Sequence, residues 1–347
     1  MSLFGSFGGL TFNAVSDGGS GTNISIACFL DGTSIRTDSG DRPVETLAVG
    51  DMICSAFGGT APVIWHGQRR IDCRCHPRPH DVWPIRVAAH AFGAGQPQRD
   101  LVLSPDHAVY AADALVPIRY LVNGATIRQE RHDIVTYHHI ELPAHDVLFA
   151  EGLPAETYLD TGNRRAFAGQ PGEATMLHAD FARSVWAAEA CAPLHVTGPA
   201  VRDIYQKLCD RAKTLGHMVS SDPDLTVFGD GHALPVERDG AQIRVMLPGG
   251  CRTVRLVSRQ FVPAQMFPGN DDHRVLGVAV ATDDFTYADG WYPAEPDLRW
   301  TNGDGTIAVS GASELRFTLA ATGRYWIDPA PSASFRPAPH CCLADRA

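Results

Sequence analysis

The chain has 347 residues, of which 44% are hydrophobic and 20% charged, a composition that supports sizeable buried cores and excludes a disordered protein. Its 39 acidic residues outnumber its 29 basic ones, and the formal net charge of -10 argues against nucleic acid and anionic membranes as partners. Since no stretch approaches about 18 uninterrupted apolar residues, we expect no transmembrane span.

The first segment, residues 1–27, is rich in Gly, Ser, Asn and Thr and predicts a flexible leader or an isolated strand. It lacks the positively charged start that is expected of a secretory signal peptide. The compartment is therefore not determined by the sequence, and we expect either the cytoplasm or export by a route other than the Sec pathway.

Residues 28–167 predict an all-β domain built from short strands. Apolar runs recur there between turn sequences such as DSGD, FGGT and NGAT, and helical spacing is almost absent. The clearest runs are DLVLS at 100–104, HAVYAADALVPI at 107–118 and DVLFA at 146–150.

Residues 168–222 predict a helical connector. In the segment 197–217, Pro199 stands near the start of a helical pattern and Gly216 just past its end. A second helix is predicted within 178–190. The apolar face of the first pattern comprises Val201, Ile204, Tyr205, Leu208, Ala212 and Leu215.

Residues 223–335 predict a second β domain of the sandwich type, followed by a tail at 336–347. Short β-type runs alternate with turn sequences such as PGG and NGDG. These runs are AQIRVML (241–247), RTVRLVS (252–258), RVLGVAVAT (274–282), TIAVS (306–310) and ELRFTLA (314–320). The predicted fold is thus mainly β.

Cys28 lies where the polar leader meets the first strand-like run, ACFLDGTSIRT at 27–37. A single cysteine is more often a packing residue than a nucleophile, so its neighbouring blocks decide its interpretation. In DLVLSPDHAVY, a Pro-Asp turn separates Ser104 from His107 and can direct hydroxyl and imidazole to one point. The later block VTYHHIELPAHDVLFAEG, at 135–152, is rich in histidine.

Taken in this order, the blocks resemble the Hint domains of hedgehog proteins and inteins, most closely the bacterial Hint-domain proteins that lack an endonuclease. Cys28 matches the first residue of the family, SPDH matches the block in which Thr or Ser precedes His by three, and HDVLFAEG matches a later block. The resemblance covers residues 28–167. It implies a flat all-β horseshoe that brings the two chain ends together beside the cysteine.

The resemblance implies an N-to-S acyl shift at the Ala27–Cys28 peptide bond, which turns the amide into a thioester. His107 would protonate the leaving nitrogen, since an imidazole titrates close to neutral pH. Ser104 would orient the scissile peptide or polarise its carbonyl by a hydrogen bond. His145 matches the later-block histidine of the family, which tends to assist the second step, and His139 stands where inteins often carry Asp or Cys.

The chain departs from the intein pattern at its later block. Inteins end in His-Asn, whereas GLPAE places Ala155 and Glu156 at the corresponding positions. Complete splicing is therefore not expected, and the resemblance implies N-terminal cleavage that releases residues 1–27. The acyl acceptor would be water or another nucleophile, and no cofactor is implied.

A different class of function stays open, namely a surface or carbohydrate-binding protein whose Hint domain is inert. It predicts that Cys28 is buried or misaligned and that the chain stays full length. Independently of this alternative, the segment TYHHIELPAH could be a strand with exposed imidazoles, above all at His138. Trp291, Tyr292 and Trp300 stand beside Asp and Asn residues and are the candidates for contact with a sugar.

DCRCHPRPHD, at 72–81, offers a third alternative, a zinc-dependent hydrolase. Its four metal-competent side chains stand too close together in sequence to close a tetrahedron readily, and Cys-x-x-Cys spacing is absent. We therefore expect a loop without metal. The four residues are Cys73, Cys75, His76 and His80.

Overall fold

The computed structural model describes residues 27–161, 164, 167, 179–281 and 285–329. Short antiparallel strands dominate them, which confirms the prediction of a mainly β protein. Most of the predicted leader and the predicted tail lie outside the described residues. Within the described part, none of the helices has both the length and the apolar content needed to cross a membrane.

The first β domain consists of short strands joined by tight turns. Its first seven strands are β1 (Phe29–Leu30), β2 (Ser34–Thr37), β3 (Gly40–Pro43), β4 (Met52–Cys54), β5 (Thr60–Pro62), β6 (Trp65–Asp72) and β7 (Ile85–Val87). The next seven are β8 (Leu101–Leu103), β9 (Ala108–Ala111), β10 (Ala114–Pro117), β11 (Ile127–Gln129), β12 (Ile134–Glu141), β13 (Val147–Ala150) and β14 (Leu153–Glu156).

These strands form two antiparallel sheets. One has six strands in the order β11-β7-β8-β1-β12-β6, and the other has eight in the order β10-β9-β14-β13-β2-β4-β5, with β3 beside β2. Consecutive strands often lie in different sheets, so the chain crosses repeatedly between them. Both sheets contribute to one apolar core, in which Phe29, Ile35, Leu103, Val109 and Leu148 are fully buried.

Two longer helices follow the first β domain, as the helical spacing predicts. They are α1 (Ala179–Glu189) and α2 (Pro199–Thr214). Gly216 follows α2 with φ +94°, a conformation that glycine adopts without steric cost. Short 3-10 helices span Val44–Thr46, Cys73–Cys75, Pro79–Asp81 and Ile118–Leu121.

The apolar face of α2 packs into the core of the first β domain. Val201, Ile204 and Leu208 are buried there against the side chains of both sheets. The helix therefore serves as a wall of that domain as well as a connection to the next.

The second β domain is a sandwich of two five-stranded sheets, ordered β17-β16-β20-β24-β22 and β18-β19-β25-β21-β23. Val227, Leu256 and Ile307 from one sheet meet Ile243 and Phe317 from the other in a shared core. Its strands are β16 (Thr226–Gly229), β17 (His232–Leu234), β18 (Glu237–Asp239), β19 (Gln242–Met246), β20 (Thr253–Val257), β21 (Ala279–Ala281), β22 (Thr286–Tyr287), β23 (Leu298–Trp300), β24 (Asp304–Ala308) and β25 (Glu314–Ala321).

The two domains contact each other through polar and aromatic side chains. The Trp326 indole donates to the carbonyl of Asn123 at 2.8 Å, and Arg128 pairs with Asp328. Trp326 belongs to a small two-stranded sheet, β15 (Met218–Ser220) with β26 (Tyr325–Ile327), and the short helix α3 (Pro263–Met266) lies nearby, with Met266 against Gly124.

The packing of α2 predicts the cost of truncating its buried face. Leu208→Ala removes a side chain that is 3% exposed, and we expect a loss of about 2–5 kcal/mol in the free energy of unfolding of the first β domain. Lys207→Ala, one residue away on the exposed face, is the matched control and should change little. Urea unfolding of both variants measures the difference, and equal midpoints would contradict the packing.

Candidate active site

Strand β1 fixes the position of Cys28 inside the first domain. Phe29 pairs with Leu103 of β8 on one side and with His138 of β12 on the other. A strand held from both sides has no freedom to slide, and the buried Phe29 side chain fixes its register. Cys28 therefore stands at a defined point between the ends of two neighbouring strands.

Ser104 makes two hydrogen bonds with Cys28. The Cys28 main-chain N–H donates to Ser104 Oγ at 2.7 Å, and the Ser104 N–H donates to the Cys28 carbonyl at 2.9 Å. Ser104 opens a β-turn in which the His107 N–H donates to the Ser104 carbonyl at 3.1 Å, with Pro105 at the second position, where proline is favoured. The turn thus presents the hydroxyl to the nitrogen of the Ala27–Cys28 peptide bond.

The His107 ring is fully buried beside β1. Its centroid lies 4.2 Å from that of Phe29 and 5.1 Å from that of His139. Burial lowers the pKa of His107 to about 4, and Glu156 and the main chain at Cys28 only partly oppose this shift. The ring is therefore neutral at pH 7, and neither of its nitrogens has a hydrogen-bond partner in the described part of the chain.

His139 lies on the same face of β12 as this cluster and is 1% exposed. Its ring meets Phe29 edge-on at 6.0 Å, and its Nδ1 accepts the Ile140 N–H at 3.1 Å. Burial, and then the neighbouring His107, His145 and His66, hold the pKa of His139 well below its usual value. The structure thus brings Cys28, Ser104, His107 and His139 together.

The Cys28 side chain is 1% exposed and belongs to an apolar cluster with Cys73, Tyr137, Tyr158 and Phe167. Burial raises the pKa of the Cys28 thiol well above its usual value; Arg69 lowers it and Glu156 raises it further. The sulfur is therefore a neutral thiol in this arrangement, and it must give up a proton before it can act as a nucleophile.

His145 approaches the cluster through Glu156. The carboxylate of Glu156 is buried, with Oε1 accepting the Ala108 N–H at 2.7 Å and Oε2 lying 3.7 Å from His145 Nε2. His145 Nδ1 lies 3.2 Å from the Cys191 nitrogen. Burial lowers the pKa of His145, but its contacts with Cys191 and Glu156 outweigh burial and raise it to about 9, so the ring is protonated at pH 7 and Nε2 carries a proton towards the carboxylate.

Glu156 was not among the predicted site residues. In the sequence it was visible only as a departure from the intein pattern, since neither its burial nor its pairing can be read from the chain.

His138 is buried, so the expectation of an exposed imidazole is wrong at this position. It is 2% exposed, its Nδ1 lies 3.0 Å from His66 Nε2, and its Nε2 contacts Asp31. His66 Nδ1 in turn lies 3.0 Å from the Leu47 carbonyl. This hydrogen-bonded row satisfies the polar atoms of both rings on the face of β12 opposite His139.

The four residues of the proposed zinc loop do not converge. Cys73 is buried in the apolar cluster of Cys28, Cys75 is exposed, and the His80 ring stacks on His273 at 4.2 Å. Across the described residues, no group of three or more His, Cys, Asp or Glu side chains is placed to hold a metal ion. The structure thus offers the zinc-hydrolase alternative no site at this loop.

The three aromatic residues proposed for sugar binding make contacts within the second domain. Trp291 packs on the sandwich core and its indole N–H donates to the Thr306 carbonyl at 2.8 Å. The Tyr292 hydroxyl donates to the Val275 carbonyl at 3.1 Å, and the Trp300 ring lies 5.8 Å from Phe261. Sugar binding stays a prediction without support from these contacts.

The family comparison agrees with this arrangement. A sequence model of the Hint domain family matches residues 27–162. Residues 27–162 form a Hint domain. A Hint domain indicates a capacity for autoprocessing in general. The match begins at Ala27, the residue before Cys28, and the bond between them is the scissile bond predicted from the sequence.

Similar solved structures are inteins and intein-like domains. The gp41-1 intein is 14% identical with a TM-score of 0.29, over 38% of this chain and 98% of that one. The bacterial intein-like domain from Clostridium thermocellum is 15% identical with a TM-score of 0.30, over 39% of this chain and 100% of that one. None of the curated proteins compared with the chain matches it.

The buried ring of His107 predicts a pH dependence of the stability of the Hint domain. Its pKa is about 4 when folded and about 6.5 when unfolded, so between these values the unfolded state binds more protons. Stability should therefore fall as the pH falls from 6.5 to 4, and this ring should account for about 3 kcal/mol of the loss. Denaturant unfolding across this range measures it.

His107→Asn should show a shallower loss than the wild type over the same pH range. His232→Asn removes an exposed histidine and should leave the wild-type slope unchanged. If the slopes of His107→Asn and wild type coincide, the folded pKa of His107 is not depressed.

Proposed function

We propose that the Hint domain catalyses an N-to-S acyl shift at Ala27–Cys28, followed by cleavage that releases residues 1–27. The observation that carries the proposal is the pair of hydrogen bonds by which Ser104 holds both main-chain polar groups of Cys28, beside a buried His107 whose nitrogens are unpaired in the described part of the chain. Such contacts fix the orientation of the residue that must attack its own preceding peptide bond.

In the first step, the Cys28 sulfur attacks the Ala27 carbonyl carbon and the C–N bond breaks. The thiol proton moves to His107 and from there to the nitrogen that leaves as an amine, so no external acid or base is consumed. Because the ring is neutral near pH 7, it can accept this proton. The resulting thioester joins Ala27 to Cys28 through sulfur.

The hydrogen bond to Cys28 supports a role for Ser104 in orienting the scissile peptide. Its hydroxyl accepts from the Cys28 nitrogen and thereby orients the amide nitrogen. The second step needs an acyl acceptor that reaches the thioester, and its attack separates residues 1–27 from Cys28.

The alternative of an inert Hint domain shares one feature with this proposal. Both accommodate a buried Cys28, since a nucleophile that attacks its own preceding carbonyl needs no access from solvent. The two differ in their reactivity, because only an active domain forms a thioester that added thiols can cleave.

Thiol-induced cleavage of the full chain tests the proposal directly. Incubation with dithiothreitol should release a fragment that ends at Ala27, and Cys28→Ala should remain intact. Cys73→Ala removes another buried thiol of the same cluster and should still be cleaved. Intact-mass spectrometry separates these outcomes, and a wild-type chain that stays whole with the thiol would falsify the acyl shift.

Two further variants test the assigned roles. We expect His107→Asn to slow thiol-induced release by about 10²- to 10⁴-fold, the range for a lost general acid or base. Ser104→Ala should slow it by about 10- to 100-fold, since a buried N–H left without its acceptor costs about 1–3 kcal/mol. Release rates come from the same mass assay, and wild-type rates in both variants would remove these residues from the mechanism.

A further inference from the structure

Glu156 lies among buried polar side chains, of which the acyl shift uses only His107. The Ala108 N–H and the His145 ring occupy part of its carboxylate, and the residue is 3% exposed. Ala108 follows His107 directly, so the turn that carries the proposed proton carrier also positions this carboxylate.

Three buried nitrogens near this carboxylate have no hydrogen-bond partner in the described part of the chain. They are both ring nitrogens of His107 and Nε2 of His145. Buried polar atoms are almost always paired with protein or with ordered water. The neutral His107 ring presents one donor and one acceptor, the protonated His145 ring presents only donors, and the carboxylate presents only acceptors. The group therefore matches a small molecule that both donates and accepts hydrogen bonds.

Glu156 is linked to the reacting residues by electrostatic effects and by a hydrogen bond. Glu156 acts on the pKa of the Cys28 thiol and on that of His107, in each case after the larger effect of burial. Glu156 Oε1 accepts the N–H of Ala108, which follows the Ser104–His107 turn, and the same turn holds Cys28 through Ser104. The carboxylate therefore lies next to the turn that holds the residue on which the thioester would form.

We propose that Glu156 is the general base that makes water the acyl acceptor of the Ala27–Cys28 thioester. This inference rests on the proposed function, because it concerns the second step of the same reaction. It assigns Glu156 a catalytic role, His145 a positioning role through Nε2, and water as the second substrate.

The step balances without any further reactant. Glu156 takes one proton from water while the water oxygen attacks the Ala27 carbonyl carbon and forms a tetrahedral intermediate. The C–S bond then breaks, Ala27 keeps the new oxygen as a carboxylic acid, and the Cys28 sulfur receives the proton from Glu156. The carboxylate and the thiol are both regenerated.

The experiment compares two acyl acceptors in the full chain. Glu156→Gln keeps the oxygen that accepts the Ala108 N–H but cannot take up a proton. We expect spontaneous release in thiol-free buffer to fall by about 10²- to 10⁴-fold, whereas dithiothreitol, which supplies its own thiolate, should release the fragment at close to the wild-type rate. In ¹⁸O-labelled water, the wild-type fragment should gain one heavy oxygen at Ala27.

Glu130→Gln is the matched control. Its half-buried carboxylate pairs with Arg86 on strand β7, and its replacement should leave both modes of release unchanged. If Glu156→Gln loses both spontaneous and thiol-induced release, Glu156→Asp is tested instead. Loss of spontaneous release alone in that variant supports Glu156 as the general base. Equal loss of both kinds of release shows a structural role and overturns the proposal.

The remaining outcomes separate this inference from the proposed function. Hydrolysis at the wild-type rate in Glu156→Gln, or a wild type that releases the fragment only with thiol, overturns the role of Glu156 and leaves the acyl shift standing. A wild type that resists thiol as well overturns the acyl shift, and the assignment of Glu156 with it.

Discussion

The structure of the Hint domain depends on the pairing of one very short strand. Strand β1 has two residues, yet it forms hydrogen-bonded pairs with β8 and with β12, and Phe29 anchors it in the core. Ser104 follows β8 and His139 lies on β12. Because β1 lies between these strands, Ser104 reaches Cys28 and the His139 ring meets Phe29. If β1 were displaced by one residue, Cys28 would face the opposite side of the sheet and leave Ser104.

Burial decides the protonation states around Cys28. The thiol, His107 and His139 are all driven towards their neutral forms, because a charged group loses its hydration in such a site. A proton that passes from a neutral thiol to a neutral imidazole creates a pair of opposite charges only briefly and at short range. Such a site keeps the sulfur protonated until the proposed proton transfer, which suits a nucleophile whose proposed target, the Ala27–Cys28 bond, is always present.

The sequence predicted the proposed catalytic residues where short blocks follow one another in the order typical of the family. Cys28, Ser104 and His107 could be found because the turn that contains Pro105 requires local residues that the chain displays. The face of α2 followed from its spacing, but its packing against the Hint domain did not, since an apolar stripe does not identify its partner.

Long-range contacts explain what the sequence missed. Glu156 and His138 are polar residues in strands, and alternation alone assigns them to water. Glu156 is buried because the Ala108 N–H and His145 pair with it, and His138 is buried because His66 and Asp31 pair with it. Those partners lie far away in the sequence or in different strands, so only the folded chain reveals that these side chains can be buried without losing their hydrogen bonds.

The arrangement of the two domains bears on which product could leave. The sandwich is joined to the Hint domain by the chain, by α2 packed into the Hint core, and by contacts such as Trp326 with Asn123. Cleavage before Cys28 would leave all of these in place, because every one of them lies after that bond. The proposed reaction would thus separate residues 1–27 from the Hint domain and the sandwich, which stay joined. Only one peptide bond, the Ala27–Cys28 bond beside Ser104, would differ between the uncleaved chain and its products.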